Sequence, residues 1–484
     1  MKSVKPAYIS KGALVIYWLM FTFWVLGVYP FLLQTVSTFD LFEVVDGRLA
    51  ILFEGGYIVL GLLLLRSRAD MAIIGSFMVM NFIGTVIVNE LPLIEWFNGI
   101  RFYCTLLFML PVMRYAMATR ARREFFVELM DRSLYIFLWL QGPCMIYQLV
   151  VYGGWDYGGG TLGFYQSGIC SEMIYTISFY LMLRRWDYSR GYLSNLGRNW
   201  LLIVLLYPSL LNETKASLIF MVLYFIFLVP VNKKMIRTLA LAIPSICIAI
   251  FVFYYFYQAL YGNRAEQSDI LTVEYFDFYV VGDESSMDLM ELAYENSETD
   301  DDVDFQRGLK WAALPWLMDD KGATSWFWGN GTGTDKGHSE EDPSKFAQSY
   351  RWLLQGTLMT LEMIVIECGI WGAVWFIAAM VVLFRGWYRH VRHQKQLTLY
   401  LVGLLMAVVF YNTSMNIFTF CLLFYYLAYL CSRWYIVEDF PNISSRGSVW
   451  TLGGIFTNVN LSDNAESNTL AQKSTSGFAL SQLK

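Results

Sequence analysis

Long apolar runs, broken at intervals by short polar clusters, dominate the chain. "ALVIYWLMFTFWVLGVYPFLL" at 13–33 and "IRTLALAIPSICIAIFVFYYFYQ" at 236–258 are typical. Runs of about 17–25 residues are long enough, as helices, to cross a hydrocarbon core of roughly 30 Å. The pattern predicts twelve spans, near 13–33, 49–65, 71–89, 99–117, 132–152, 168–184, 199–211, 215–231, 236–258, 357–384, 397–413 and 414–432. The expected fold is an all-α polytopic membrane protein with one large loop between the ninth and tenth helices. The first run has no small-residue cleavage site and reads as an anchor rather than a removed signal peptide. The seventh is short, and "LLNETKAS" after it reads as a broken or re-entrant turn.

This pattern divides the chain into helices one to nine within 1–259, a loop at 260–356, helices ten to twelve within 357–435 and a polar tail at 436–484. The tail is aperiodic and is expected to be disordered. Composition agrees with a membrane protein: 56% of residues are hydrophobic and 15% charged, where a soluble chain carries about a quarter charged.

The net charge of −5 hides a strong dependence on position. Alternate connections hold nearly all the basic residues of the helical region. They include Arg66 and Arg68, Arg114 to Arg123, Arg184 to Arg198, Lys233 and Lys234, and Arg385 to Lys395. By the positive-inside rule these connections, and both termini, are expected in the cytoplasm. The 260–356 loop then lies outside. From Glu266 to Asp304 it carries fourteen acidic residues and no Lys or Arg, after which Arg307, Lys310, Lys321, Lys336, Lys345 and Arg351 follow.

Ionisable residues in or beside apolar spans are costly to place and mark candidate sites. Lys215, in "NETKASL", is either an interface lysine or a cation facing a ligand. Arg307, Lys310, Trp311 and Leu314 share one helical face, cationic and aromatic together; the alternatives are a helix lying on the membrane surface or a phosphate and sugar site. Gly329 and Gly331, in "WGNGTGT", form a turn able to offer backbone N–H groups to an anion. His338 is the one histidine expected outside and so the one imidazole base available there. Glu172 and Arg101 either pair within the bundle or face a hydroxyl proton and a phosphate, and Arg351 is a further supporting cation. Three histidines, and seven cysteines without a CxxC pair, give no metal framework. No cofactor and no nucleic-acid partner are expected.

Three patches together resemble the superfamily of O-antigen polymerases and O-antigen ligases of the bacterial envelope. They are "NETKASL" with Lys215 where Arg is commoner, Arg307 and Trp311 followed by "GNGTG", and "ECGIWG" with Glu367, Gly369 and Gly372. "GFYQSGICSEM" before the sixth span is a looser fourth patch. The ligases carry a histidine that would align with Leu358, which favours polymerase over ligase.

The resemblance implies a metal-independent glycosyltransferase of the bacterial inner membrane acting on its periplasmic face. Its donor would be an oligosaccharide on undecaprenyl pyrophosphate, and its acceptor a hydroxyl of another lipid-linked unit. Arg307 and Lys215 would neutralise the pyrophosphate, with Lys310, Arg351 and Arg101 in support. His338, Glu172 and Glu367, in that order, are candidate bases. A chain-length regulator and a flippase are candidate partners. Glycan transfer to another acceptor by a ligase, and a lipid-linked oligosaccharide transporter, are the competing readings.

Overall fold

The structure, a computed structural model, describes residues 11–36, 39–153, 157–164, 166–212, 216–230, 235–261, 307–319, 322–334, 359–383, 392–411 and 417–431. Every regular element among them is helical. The first half contains α1 (Lys11–Val36), α2 (Phe39–Leu64), α3 (Arg68–Phe82) running on as a π-helical turn (Ile83–Val88), α4 (Leu93–Ala116), α5 (Arg120–Tyr152) and α6 (Ser167–Arg184). Then come α7 (Tyr192–Arg198), α8 (Trp200–Val204), α9 (Pro208–Leu211), α10 (Ala216–Phe227) and α11 (Met235–Tyr261). The loop contributes α12 (Arg307–Asp319) and α13 (Ala323–Trp328), and the chain continues with α14 (Thr360–Leu383), α15 (Arg392–Tyr411) and α16 (Phe418–Cys431).

Among the described residues, six helices are long and apolar enough to cross a membrane: Lys11–Val36, Arg68–Val88, Leu93–Ala116, Arg120–Tyr152, Met235–Leu260 and Thr360–Val381. The protein is therefore an all-α, membrane-embedded one. The other expected spans fall on α6 and on shorter apolar helices at 51–64, 200–211, 217–227, 395–409 and 418–431. Two local departures have physical causes. The basic stretch from Arg120 is helix rather than connection, because Thr119 caps it by accepting a hydrogen bond from Arg122 N at 3.3 Å. The seventh run breaks into α8 and α9, and Pro208 opens the second piece.

Lipid is as apolar as leucine, so helices in a membrane associate through packing and a few polar joints. Two joints lie at the end of the bundle where the basic connections gather. Arg114 on α4 grips Asp70 on α3 with both ends of its fork, at 2.8 and 2.7 Å. Arg184 on α6 reaches Asp131 on α5 at 3.0 Å, and the pair is almost wholly buried. Tyr180 donates to the same carboxylate at 2.6 Å and lies 2.8 Å from the hydroxyl of Tyr426 on α16. Farther along the bundle, amides replace charges. Gln148 on α5 donates to Gln34 on α1 and to the Gly160 carbonyl, while accepting from Gly160 N, all at 2.8–2.9 Å. Gln141 holds Thr161 in the same way. These amides tuck the short segment around Gly160–Leu162 against α1 and α5, where its backbone polar groups find protein partners.

Candidate functional site

Helix α14 is interrupted. At Gly369 the backbone takes φ +68° and ψ −167°, a conformation open essentially to glycine alone. Such a break strips the carbonyls before it of their helical donors, and a buried carbonyl without a donor is costly. Here the glycine-rich turn supplies them. Asn330 N donates to Ile366 O at 2.7 Å, and Gly331 N donates to Glu367 O at 3.1 Å. The approach leaves no room for side chains. A Cβ on Gly329 would stand 2.4 Å from the Glu367 carbonyl carbon and oxygen, and one on Gly369 would stand 2.3 Å from Phe327 O.

The turn also closes on a buried acid of the protein itself. The Glu367 carboxylate is buried; one oxygen accepts from Gly333 N and the other from the Tyr103 hydroxyl on α4, each at 2.5 Å. Around it, Thr332 N donates to the Thr85 hydroxyl at 3.1 Å, and the Thr332 hydroxyl donates to Asn81 Oδ1 at 3.2 Å. Trp96 donates to the same Asn81 oxygen at 2.8 Å, and Asn89 donates to Gly329 O at 3.0 Å. Thr85 and Asn89 belong to the π-helical end of α3 and the turn after it, a geometry frequent at functional places. Both Glu367 oxygens are thus engaged, so acting as a base would require one of these hydrogen bonds to open.

Asn330 joins three elements. Its side-chain nitrogen lies 3.4 Å from both Leu317 O on α12 and Ile366 O on α14, and its oxygen accepts from Ser325 on α13 at 3.3 Å. Asn330→Ala removes these bonds and leaves buried acceptors behind, with an expected cost of about 1–3 kcal/mol. Thermal unfolding of the detergent-purified protein reads this as a lowered midpoint.

Helix α12 is held by the same joint and by its own apolar face. Ala313, Leu314, Leu317 and Met318 are buried, so this face packs on protein rather than lying on lipid. Trp311 donates its indole N–H to the sulfur of Met359, just before α14, at 2.8 Å. Arg307 and Lys310 fall on the first turn of α12, ahead of this docked face.

The remaining candidates are spread more widely. Lys215, His338 and Arg351 lie outside the described residues. Glu172 is fully buried on α6. Its neighbour Ser171 accepts from Asn212 at 2.8 Å, and Asn212 also donates to Ser167 O at 3.0 Å. The start of the "NETKAS" segment is thereby pinned to the first turn of α6, the turn that precedes Glu172. Arg101 pairs with Glu54 on α2 at 3.2 Å. The backbone donors next to Gly329 and Gly331 are committed inside the fold, as above. No group of three or more metal-ligating side chains occurs among the described residues.

Sequence reasoning did not reach Tyr103, Asn81, Thr85, Asn89 or Asn330. Each is an ordinary polar residue in or beside an apolar stretch, and only their convergence gives them meaning. The polar spacing Asn81, Thr85, Asn89, four residues apart on an otherwise apolar helix, was the available signal. Among known proteins, no family model and no curated sequence matches the chain.

Proposed function

We propose that the protein is a polysaccharide polymerase of the bacterial inner membrane. It joins oligosaccharide repeat units carried on undecaprenyl pyrophosphate, by glycosyl transfer at the end of the bundle opposite the basic connections. The supporting observation is the meeting of two sequence patches that resemble the polymerase and ligase superfamily. "GNGTG" and "ECGIWG" belong to different elements, with Asn330 and Ile366 36 residues apart, and the first fills the break in the second. That junction seats the helix whose first turn carries Arg307 and Lys310.

In this reading the interlock is a scaffold, and the chemistry is done by cations. Arg307 and Lys215 bind the donor pyrophosphate and stabilise the charge that grows on it as the glycosyl bond breaks. Arrays of this kind act through preorganised electrostatics, with binding holding donor and acceptor in line. No metal is needed for such a leaving group. The acceptor hydroxyl loses its proton to His338 or Glu172.

A transporter would use a broken helix differently, leaving the freed carbonyls to line a cavity for substrate or ion. Here Asn330 and Gly331 occupy those carbonyls, which supports a fixed wall over a moving gate. The test is reconstitution of the purified protein with undecaprenyl-pyrophosphate-linked repeat units, with products resolved by length. A ladder of multimers is expected. Transfer of a single unit only to a different acceptor would make it a ligase, and an unchanged substrate pool, with folded protein and competent substrate, would overturn the reading.

A further inference from the structure

The pair of Arg101 and Glu54 is unlike the other charged joints of the bundle. Arg114 with Asp70 and Arg184 with Asp131 are hydrogen-bonded forks closed on buried carboxylates. Arg101 makes one contact with its acid, Nε to Oε2 at 3.2 Å, and its side chain stays 35% exposed. Its guanidinium lies 5.5 Å from the Phe102 ring centre. The two terminal nitrogens of the fork therefore keep their donors free of protein partners among the described residues.

The surroundings are lipid-facing. Ile94, Phe97 and Arg101 lie at helical spacing on one stripe of α4, and Ile94 and Phe97 are 64% and 56% exposed. On α2, Ile51 and Gly55 flank Glu54, and Ile51 is also exposed. Nothing lies within 4 Å of where a Gly55 Cβ would stand, so Gly55 belongs to the exposed, lipid-facing side of α2. Arg101 sits eight residues into α4, about 12 Å from its Leu93 end at 1.5 Å per residue. An arginine at that depth extends its stem along the apolar wall and carries its charge to the headgroup level. The fork is the side chain best suited to a phosphate.

We infer that Arg101, held on one side by Glu54 across α2 and α4, forms a lateral binding site for the phosphate of a lipid. Glu54 steers the guanidinium from one side and leaves its outer edge to the ligand. The inference rests on the membrane-embedded helices and does not depend on the polymerase reading. The phosphate belongs either to a phospholipid headgroup or to a polyprenyl carrier, and both present the same group to the fork.

The experiment is a binding titration of the full-length protein in neutral detergent, read by native mass spectrometry. Phosphatidylglycerol, a short polyprenyl phosphate and phosphatidylcholine are the three probes. Wild type is expected to hold one phosphatidylglycerol or polyprenyl phosphate in preference to phosphatidylcholine. Arg101→Gln weakens that binding about tenfold, the effect of losing a charge-assisted hydrogen bond. Arg101→Lys retains part of it, and Glu54→Gln tightens it. Should Arg101→Gln not fold, Glu54→Gln carries the same test through that tighter binding. Arginine-dependent binding of both anionic lipids identifies a general phospholipid site, and of the polyprenyl phosphate alone a site for the carrier. Equal binding of anionic lipid by wild type, Arg101→Gln and Glu54→Gln overturns the inference, whatever the outcome of the polymerisation assay.

Discussion

Gly369→Ala is expected to detach the loop from the bundle and to cost about 3 kcal/mol or more. Two effects add. The backbone at Gly369 has φ +68°, where an alanine is strained. The new Cβ would also meet Phe327 O at 2.3 Å, Phe327 C at 2.5 Å and Gly329 N at 2.7 Å. All three are backbone atoms, so no rotamer change relieves the clash, and either α14 straightens or the turn leaves. When the turn leaves, the carbonyls of Ile366 and Glu367 lose their donors, and the Glu367 carboxylate keeps Tyr103 but loses Gly333 N. Thermal unfolding gives the stability change. Cysteines at Trp311 and Met359, whose native side chains touch, report docking through their cross-linking yield. Gly75→Ala is the control: nothing lies within 4 Å of its Cβ position, and alanine favours the helix. Equal melting and equal cross-linking of Gly369→Ala and wild type would show that the break is not closed by the turn.

Asp131→Ala is expected to destabilise the bundle by about 3–5 kcal/mol, because it leaves the Arg184 guanidinium buried without its counter-ion. The Arg184 and Asp131 side chains are only 2% and 6% exposed, so water cannot replace the lost partner. The double replacement Asp131→Leu with Arg184→Met should recover most of the loss. It removes both desolvated charges, and Tyr180 keeps Tyr426 as a hydrogen-bond partner at 2.8 Å. Denaturation in detergent of the two singles and the double gives the coupling between them. A double replacement no better than Asp131→Ala would mean that the charge network itself, and not its compensation, holds α5, α6 and α16 together.

Much of the fold was legible because apolar runs of membrane-crossing length are the strongest signal a sequence carries. α1, α4, α11 and α14 fall where such runs predict helices. Boundaries were less legible where a helix outruns its apolar part. The charged start of α5 reads as connection, yet the helix already begins at Arg120 behind the Thr119 cap. The partners of buried charges were hidden for another reason. Asp131 and Arg184 are 53 residues apart and meet only because α5 and α6 pack side by side.

The candidate site was half legible. Glycines in "WGNGTGT" and "ECGIWG" signal unusual backbone, and both places are unusual. That the two would complete each other could not be read from either. The pairing is made by backbone N–H and C=O groups, which every sequence possesses and none displays. Gly329 and Gly331 are expected to offer N–H groups to a ligand, yet both donate to backbone carbonyls, and it is Gly333 N that meets the Glu367 side chain.

The central claim is that the docked loop helix brings Arg307 to the lipid-linked donor. It is tested most directly by the initial rate of chain elongation in the reconstituted assay, with wild type and Arg307→Ala compared at matched folded protein. A group that stabilises developing charge contributes about 10²–10³ in rate, so the variant's ladder should collapse by that factor while its melting stays at the wild-type value. A variant that elongates chains at the wild-type rate would remove Arg307 from the chemistry and with it the role given to the loop.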